Sequence, residues 1–243
     1  MIHGTHNAIE DPRNANIKIM INDELYDRQD AKISVFDSGY LVGDGIWEAF
    51  RLHKGHLAFS DMHLQRLWSA AASVGMVFPF SKKELLDKVW SVIAANKMED
   101  NVHIRVMITR GIKKTPSQDP RLTISGPNVV IIAEHKKASG NSKEKGITLF
   151  TSTVRRGSPD YLDPRLNCHS KLHEVQALVQ VIEAGADEAL MLDINGFVST
   201  CNATNFFIVR DNEVWTSTGE YCMNGITRQN VIKVCKTQSK TLA

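Results

Sequence analysis

Apolar and polar positions along the chain follow two periods, and the period changes mark the elements. "IKIMIND" (17–23) and "AKISVFD" (31–37) alternate in the manner of strands, which predicts two short strands around a polar turn. "SDMHLQRLWSAAASVGM" (60–76) has helical spacing, with Ser60 or Asp61 as the N-cap. Pro79 breaks the chain, and a second helix runs through "KKELLDKVWSVIAANK" (82–97) from a cap at Ser81. "VHIRVMITRG" and "NVVIIAEH" return to strand character. The charged, Gly/Ser-rich "KKASGNSKEKG" (136–146) reads as a linker. Beyond it come a strand, "ITLFTSTV", and a helix, "HEVQALVQVIEAG", ended by Gly185. "EALMLDINGFVST" predicts a hairpin turning at Asn195-Gly196, and "NFFIVR" with "EVWTST" a second over Asp211-Asn212. "NGITRQNVIKVCK" is a loop opening into a helix at Thr227.

The predicted class is therefore α+β / α/β in two lobes: a small α/β domain over 1–135, a linker over 136–146 and a larger domain over 147–243. Two lobes joined in this way usually place a ligand in the cleft between them.

Composition narrows the function classes. The 243 residues are 42% hydrophobic and 23% charged, as in an ordinary globular protein. A net charge of +2, from 29 basic and 27 acidic residues, argues against nucleic acid as a partner. "MIHGTHNAIEDPRNANIKIM" lacks the apolar core of a secretory signal, and its acidic residues speak against a transit peptide. No apolar run reaches membrane-spanning length, and the cysteines (Cys168, Cys201, Cys222, Cys235) have no tight spacing. A cytoplasmic protein with reduced thiols is expected.

The chemistry concentrates in "NCHSKLHEVQ" (167–176). Lys171 is the only lysine between Lys145 and Lys233, in a chain that uses lysine freely elsewhere. A buried lysine loses its charge readily and becomes a nucleophile toward carbonyls, although a lysine at a helix start is by itself equally a surface group. His169 and His173 have a two-ligand metal spacing if both lie on one helix, but no third ligand presents itself and no metal is expected. "GDG" at 43–45 lacks the spacing of a dinucleotide loop and reads as a turn of close backbone approach. The helix opening at Ile226 and Thr227 after Gly225 is an anion site. Arg51, in "GDGIWEAFR", is placed to meet a phosphate from the other lobe. A nucleophilic amine, a phosphate cup and an opposing arginine are what a pyridoxal 5′-phosphate site needs.

At these residues the chain resembles the class IV aminotransferases, the pyridoxal-phosphate enzymes of fold type IV. They include branched-chain and D-amino-acid aminotransferases and aminodeoxychorismate lyase. The resemblance runs from about Ile17 to about Cys235 through "SVFDSGYLVGDGIWEAFRLHKGHL", "HLQRL", "ITRG", "LDPRLNCHSK", "EAGADEALMLDINGFV", "NFF" and "GITRQNVI", in that order. It implies a small α/β N-terminal lobe and a larger mixed-sheet pseudo-barrel lobe. It implies that Lys171 is the Schiff-base lysine and that Arg51 and the amides of Ile226 and Thr227 hold the phosphate. Tyr40 would line the substrate pocket, and a homodimer would complete the site. The activity implied is transfer of an amino group between an amino acid and a 2-oxo acid. The alternatives are a lyase of the same fold and a truncated, non-catalytic relative.

The sequence departs from the family pattern at three points. Thr200 stands where the family usually has a glutamate facing the pyridine nitrogen, so a hydroxyl replaces a carboxylate. The stretch after "TRG", "IKKTPSQDP", lacks the Arg-x-His trap of the D-amino-acid branch. Family members normally continue well beyond "GITR", so a shortened second lobe is expected.

Overall fold

The structure, a computed structural model, describes residues 10–137 and 144–238. The chain forms two compact units, and the division does not follow the linker alone. The described part of the first unit holds residues 10–137 together with Asn167–Ser170; that of the second holds 144–166 and 171–238. The change of unit falls within the expected linker, of which 138–143 lie outside the described residues.

The first unit is a six-stranded antiparallel sheet. Its strands are β1 (Lys18–Ile21), β2 (Glu24–Asp27), β3 (Gly45–His53), β4 (His56–Ala58), β5 (Val102–Thr109) and β6 (Asn128–His135), in the order β2-β1-β6-β5-β3-β4. Helix α1 (Ser38–Val42) precedes β3, and α2 (Ser60–Ser73) and α3 (Lys82–Ala95) pack against the sheet. β3 shows why. Ile46, Phe50 and Leu52 recur at period two and are at most 1% exposed, so one face of the strand is core. Both helices answer with apolar stripes, Leu64 and Leu67 on α2 and Leu85, Val89 and Val92 on α3.

Two sequence expectations fail here. The strand partner of β1 is not 31–37 but Glu24–Asp27. Asn22 takes a left-handed φ of 59°, so the chain turns back at once and pairs Ile21 with Glu24. Residues 31–37 run irregularly to Asp37, which makes only an isolated bridge to Ile112. The N-cap of α2 is Phe59, left-handed and without a side-chain cap bond, rather than Ser60 or Asp61. The cap at Ser81 forms as expected, with Glu84 completing a reciprocal capping box.

The second unit pairs β7 (Leu149–Thr151) in parallel with β8 (Glu188–Leu192), and α4 (Leu172–Glu183) is the crossover between them. β9 (Val198–Cys201) pairs antiparallel with β8 to complete a mixed three-stranded sheet. α4 lays Ala177 and Val181 against Ala189 and Met191. β10 (Phe207–Arg210) and β11 (Glu213–Thr216) form a separate hairpin. Its turn residues Asp211 and Asn212 both have positive φ, as a type I′ turn requires. Helix α5 (Ile226–Gln238) follows. None of the helices is long and apolar enough to cross a membrane, among the described residues.

Candidate active site

The glycines of "SGYLVGDG" are explained by what lies against them. The amide of His169 donates to the Gly45 carbonyl at 2.9 Å, and the Trp47 amide to the Asn167 carbonyl at 2.9 Å. Residues 167–170 thus dock along the start of β3. A Cβ at Gly45 would come within 2.7 Å of the His169 ring, and one at Gly39 within 2.9 Å. Gly43 has φ +70°, and a Cβ there would meet Ser170 Oγ at 2.7 Å. The close-approach reading of "GDG" therefore holds. Burial pushes the His169 imidazole below its usual pKa, and its Nε2 has no hydrogen-bond partner among the described residues. His169 precedes α4, whereas His173 is on it, so the two do not form a helical i, i+4 pair. No group of three or more His, Cys, Asp or Glu residues converges as a metal site among the described residues.

Lys171 follows directly, in the N-cap position of α4, without a capping side-chain bond. Its side chain is 28% exposed, and Nζ lies 3.3 Å from Glu174 Oε1. Glu174 and Arg156 are buried, and Arg156 Nη1 donates to the same oxygen at 2.8 Å. His173 Nε2 lies 3.2 Å from Arg156 Nη1, and His173 Nδ1 lies 3.0 Å from Glu174 Oε2 without hydrogen-bond geometry. Burial alone would raise the Glu174 pKa. The charges of Lys171 and Arg156, with His173, outweigh it, and the carboxyl is held below its usual range. Glu174, Ala177 and Val181 share the buried stripe of α4, so a charge sits at a core-phase position.

α5 opens on Gly225, where a Cβ would fall 2.2 Å from Asn205 Oδ1. Asn205 Nδ2 donates to the Met223 carbonyl at 3.0 Å, and buried Arg228 donates to the Ser217 carbonyl at 2.6 Å and to Asn224 Oδ1 at 3.0 Å. The loop into the helix is thus held from both sides. The first hydrogen bond back along the helix is from the Gln229 amide to the Gly225 carbonyl at 2.9 Å. The amides of Ile226 and Thr227 come before it, in the turn whose N–H groups have no intrahelical acceptor. Ile226 is buried and Thr227 exposed.

Thr200, on β9, is 2% exposed, and its hydroxyl donates to the Thr204 carbonyl at 2.7 Å. Its one proton is committed there, so toward any further partner Thr200 can only accept. Lys171, Thr200, Ile226 and Thr227 all belong to the second unit. Tyr40, on α1 in the first unit, is 71% exposed.

Arg51, on β3, has hydrogen-bond partners within the first unit. Nη1 donates to the Lys136 carbonyl at 2.7 Å and Nη2 to Asn101 Oδ1 at 3.2 Å. It lies on the order of 20 Å along β3 from Gly45, where His169 docks. Strand alternation also puts it on the face of Trp47 and Ala49, opposite Glu48. Glu48, 1% exposed, instead takes Arg66 Nε at 2.5 Å and Nη2 at 2.8 Å, and His63 Nδ1 at 2.7 Å. Sequence reasoning assigned no role to Glu48, His63, Arg66, Arg156 or Glu174. The available signal was a glutamate at the core phase of a strand and another at the core phase of a helix.

The family model described as amino-transferase class IV matches residues 45–242. The chain belongs to this family. Within the class IV family it is 36% identical over 223 residues to the branched-chain-amino-acid aminotransferase-like protein 2 of Arabidopsis thaliana, an alignment covering 92% of this chain and 40% of that protein. The chain thus spans well under half the length of that relative. It is also 36% identical over 221 residues to the putative branched-chain-amino-acid aminotransferase of Methanocaldococcus jannaschii, covering 90% of this chain and 75% of the other. Among solved structures, it is similar to a T.th. branched-chain amino acid aminotransferase complexed with N-(5′-phosphopyridoxyl)-L-glutamate. The TM-score is 0.83 at 25% identity, covering 91% of this chain and 74% of that one. The class IV family member is therefore of fold type IV, as its sequence motifs imply.

Proposed function

We propose that this chain is a pyridoxal-phosphate-dependent aminotransferase that moves an amino group between an amino acid and a 2-oxo acid. The observation that carries this is the amine of Lys171, partly buried at the start of α4 and held by a buried carboxylate, in the same unit as the open N-terminus of α5. The phosphopyridoxyl ligand named for the T.th. relative supports the choice of cofactor. Pyridoxal 5′-phosphate, when bound, supplies an aldehyde that condenses with amines and a ring that withdraws electrons from the substrate carbon.

The residues present fit that group. The pinned Gly225 and the amides of Ile226 and Thr227 form a backbone cradle for a phosphate, with the helix dipole favouring its charge. Thr200 would meet a ring nitrogen as an acceptor, a role that needs a proton on that nitrogen. Lys171 would be the amine that holds the cofactor, and its Nζ would accept and return the substrate's α-proton. Arg51 is retained from the family resemblance as a proposed phosphate ligand; within the first unit its guanidinium bonds the Lys136 carbonyl and Asn101. By the family resemblance, Tyr40 is proposed as a substrate-pocket residue. Exposed Val35, Phe36 and Tyr40 support a homodimer, which light scattering at micromolar concentration checks; a monomer would oppose it. A cytoplasmic location accords with four free cysteines.

Incubation with pyridoxal 5′-phosphate and then borohydride should leave a stable adduct on the peptide that contains Lys171. Lys171→Ala should abolish it. An adduct of equal yield on another lysine would overturn the assignment.

A further inference from the structure

We propose that Glu174 is a positioning residue for Lys171: it receives the amine as an ammonium whenever the amine is free, and so sets how readily Lys171 takes up a proton. This rests on the reading of Lys171 as the reactive amine.

The geometry is specific to this corner. Glu174 stands one helical turn after Lys171, on the buried side of α4, with Oε1 3.3 Å from Nζ. A carboxylate there attracts a cation and repels none. Arg156 holds it in place from the segment after β7, and Glu174 remains ionised despite its burial because the charges of Lys171 and Arg156 face it. His173 is held neutral by burial, so it adds no fixed charge at neutral pH. Glu188 on β8 acts on Cys201, as Arg156 does. Oε2 of Glu174 has no hydrogen-bond partner among the described residues, which leaves it able to follow the amine as it moves.

The proton transfer balances without another reactant. The neutral amine forms an N–H bond with a proton from substrate and becomes an ammonium beside the carboxylate. The same N–H bond breaks when the proton is returned. Glu174 gains and loses nothing; it stabilises the charged form. Arg156, being positive, acts in the opposite sense on Lys171, which gives a test by sign.

Lys171 is the only lysine between Arg165 and Arg210, so cleavage at arginine isolates it on one peptide. The purified full chain is cleared of bound carbonyls with hydroxylamine and labelled with trace acetic anhydride between pH 7 and 10. Acetylation of that peptide reports the fraction of neutral amine. Glu174→Gln should raise labelling at neutral pH about tenfold. Arg156→Met should lower it. A merely structural disturbance would loosen the corner in both variants and raise labelling in both. Unchanged labelling in Glu174→Gln, or shifts of the same sign in both variants, would overturn the proposal. Borohydride trapping separates the two layers. An adduct away from Lys171 sinks the assignment of the reactive amine. An adduct on Lys171 with indifferent labelling sinks only the role of Glu174.

Discussion

The two units each bury a glutamate among an arginine and a histidine, and they treat it differently. In the first unit Glu48 is closed. Arg66 grips both carboxylate oxygens, His63 bonds one of them, and Glu48 is 1% exposed. In the second unit Glu174 is open. Arg156 bonds only Oε1, Oε2 lacks a hydrogen bond among the described residues, and the second cation is a lysine at 3.3 Å. Both carboxyls face burial that would raise their pKa, and in both the neighbouring cations outweigh it. A glutamate, an arginine and a histidine thus make a saturated ion cluster in one place and, with a lysine added, an unsaturated one in the other. A buried carboxylate with every lone pair engaged has no capacity left for a group that must come and go. One with a spare oxygen beside a long, flexible amine does.

The largest expected effect lies on the closed side. Glu48→Ala leaves Arg66 and His63 without their buried anion and should cost about 3–5 kcal/mol in urea unfolding. A loss below about 1 kcal/mol would mean that water reaches the cluster and that it is not closed. Acid should then separate the clusters. His169 and His173 are held by burial below the usual 6.5, so the folded state binds fewer protons than the unfolded chain there. Their contribution is present above pH 6.5 and is lost as pH falls through their folded values. Glu48 and Glu174 lie below the usual 4.5, and their contribution is lost only below that. The urea midpoint should therefore decline from about pH 6.5 and fall further below 4.5, so the open cluster, which contains His173, weakens first. A midpoint flat from pH 7 to 5 would contradict this ordering. The smallest effect is expected for Lys171→Ala. Its amine makes one long contact from a partly exposed position, so its removal should cost under about 1 kcal/mol. A much larger loss would show that Lys171 is a structural member of the cluster and is not free to leave it.

Much of the site was readable because it depends on short-range pattern. The solitude of Lys171, the Gly225-Ile226-Thr227 helix start and the Asn195-Gly196 turn are local features, and local backbone preferences place them. Elements set by local pattern also formed close to where it put them: α3 from its cap at Ser81, β5, β6, α4 and both later hairpins. The misreadings came where a distant partner decides. Residues 31–37 alternate like a strand, but the positive φ of Asn22 had already closed the hairpin with Glu24–Asp27. The hydrogen-bond partners of Arg51, the Lys136 carbonyl and Asn101, are likewise distant in the chain.

The sequence by itself determined the family and the fold class and singled out Lys171 and the helix start at Ile226 as candidates, because each is written in a contiguous motif whose periodicity or backbone requirement needs no partner. Only the tertiary structure decided that residues 167–170 belong to the first unit, that Thr200 has its proton committed to Thr204, and that Glu174 faces Lys171 with Arg156 behind it. Those facts depend on which side chains from separate segments share one buried volume. A charge in low dielectric is placed by its neighbours in space and not by its neighbours in the chain.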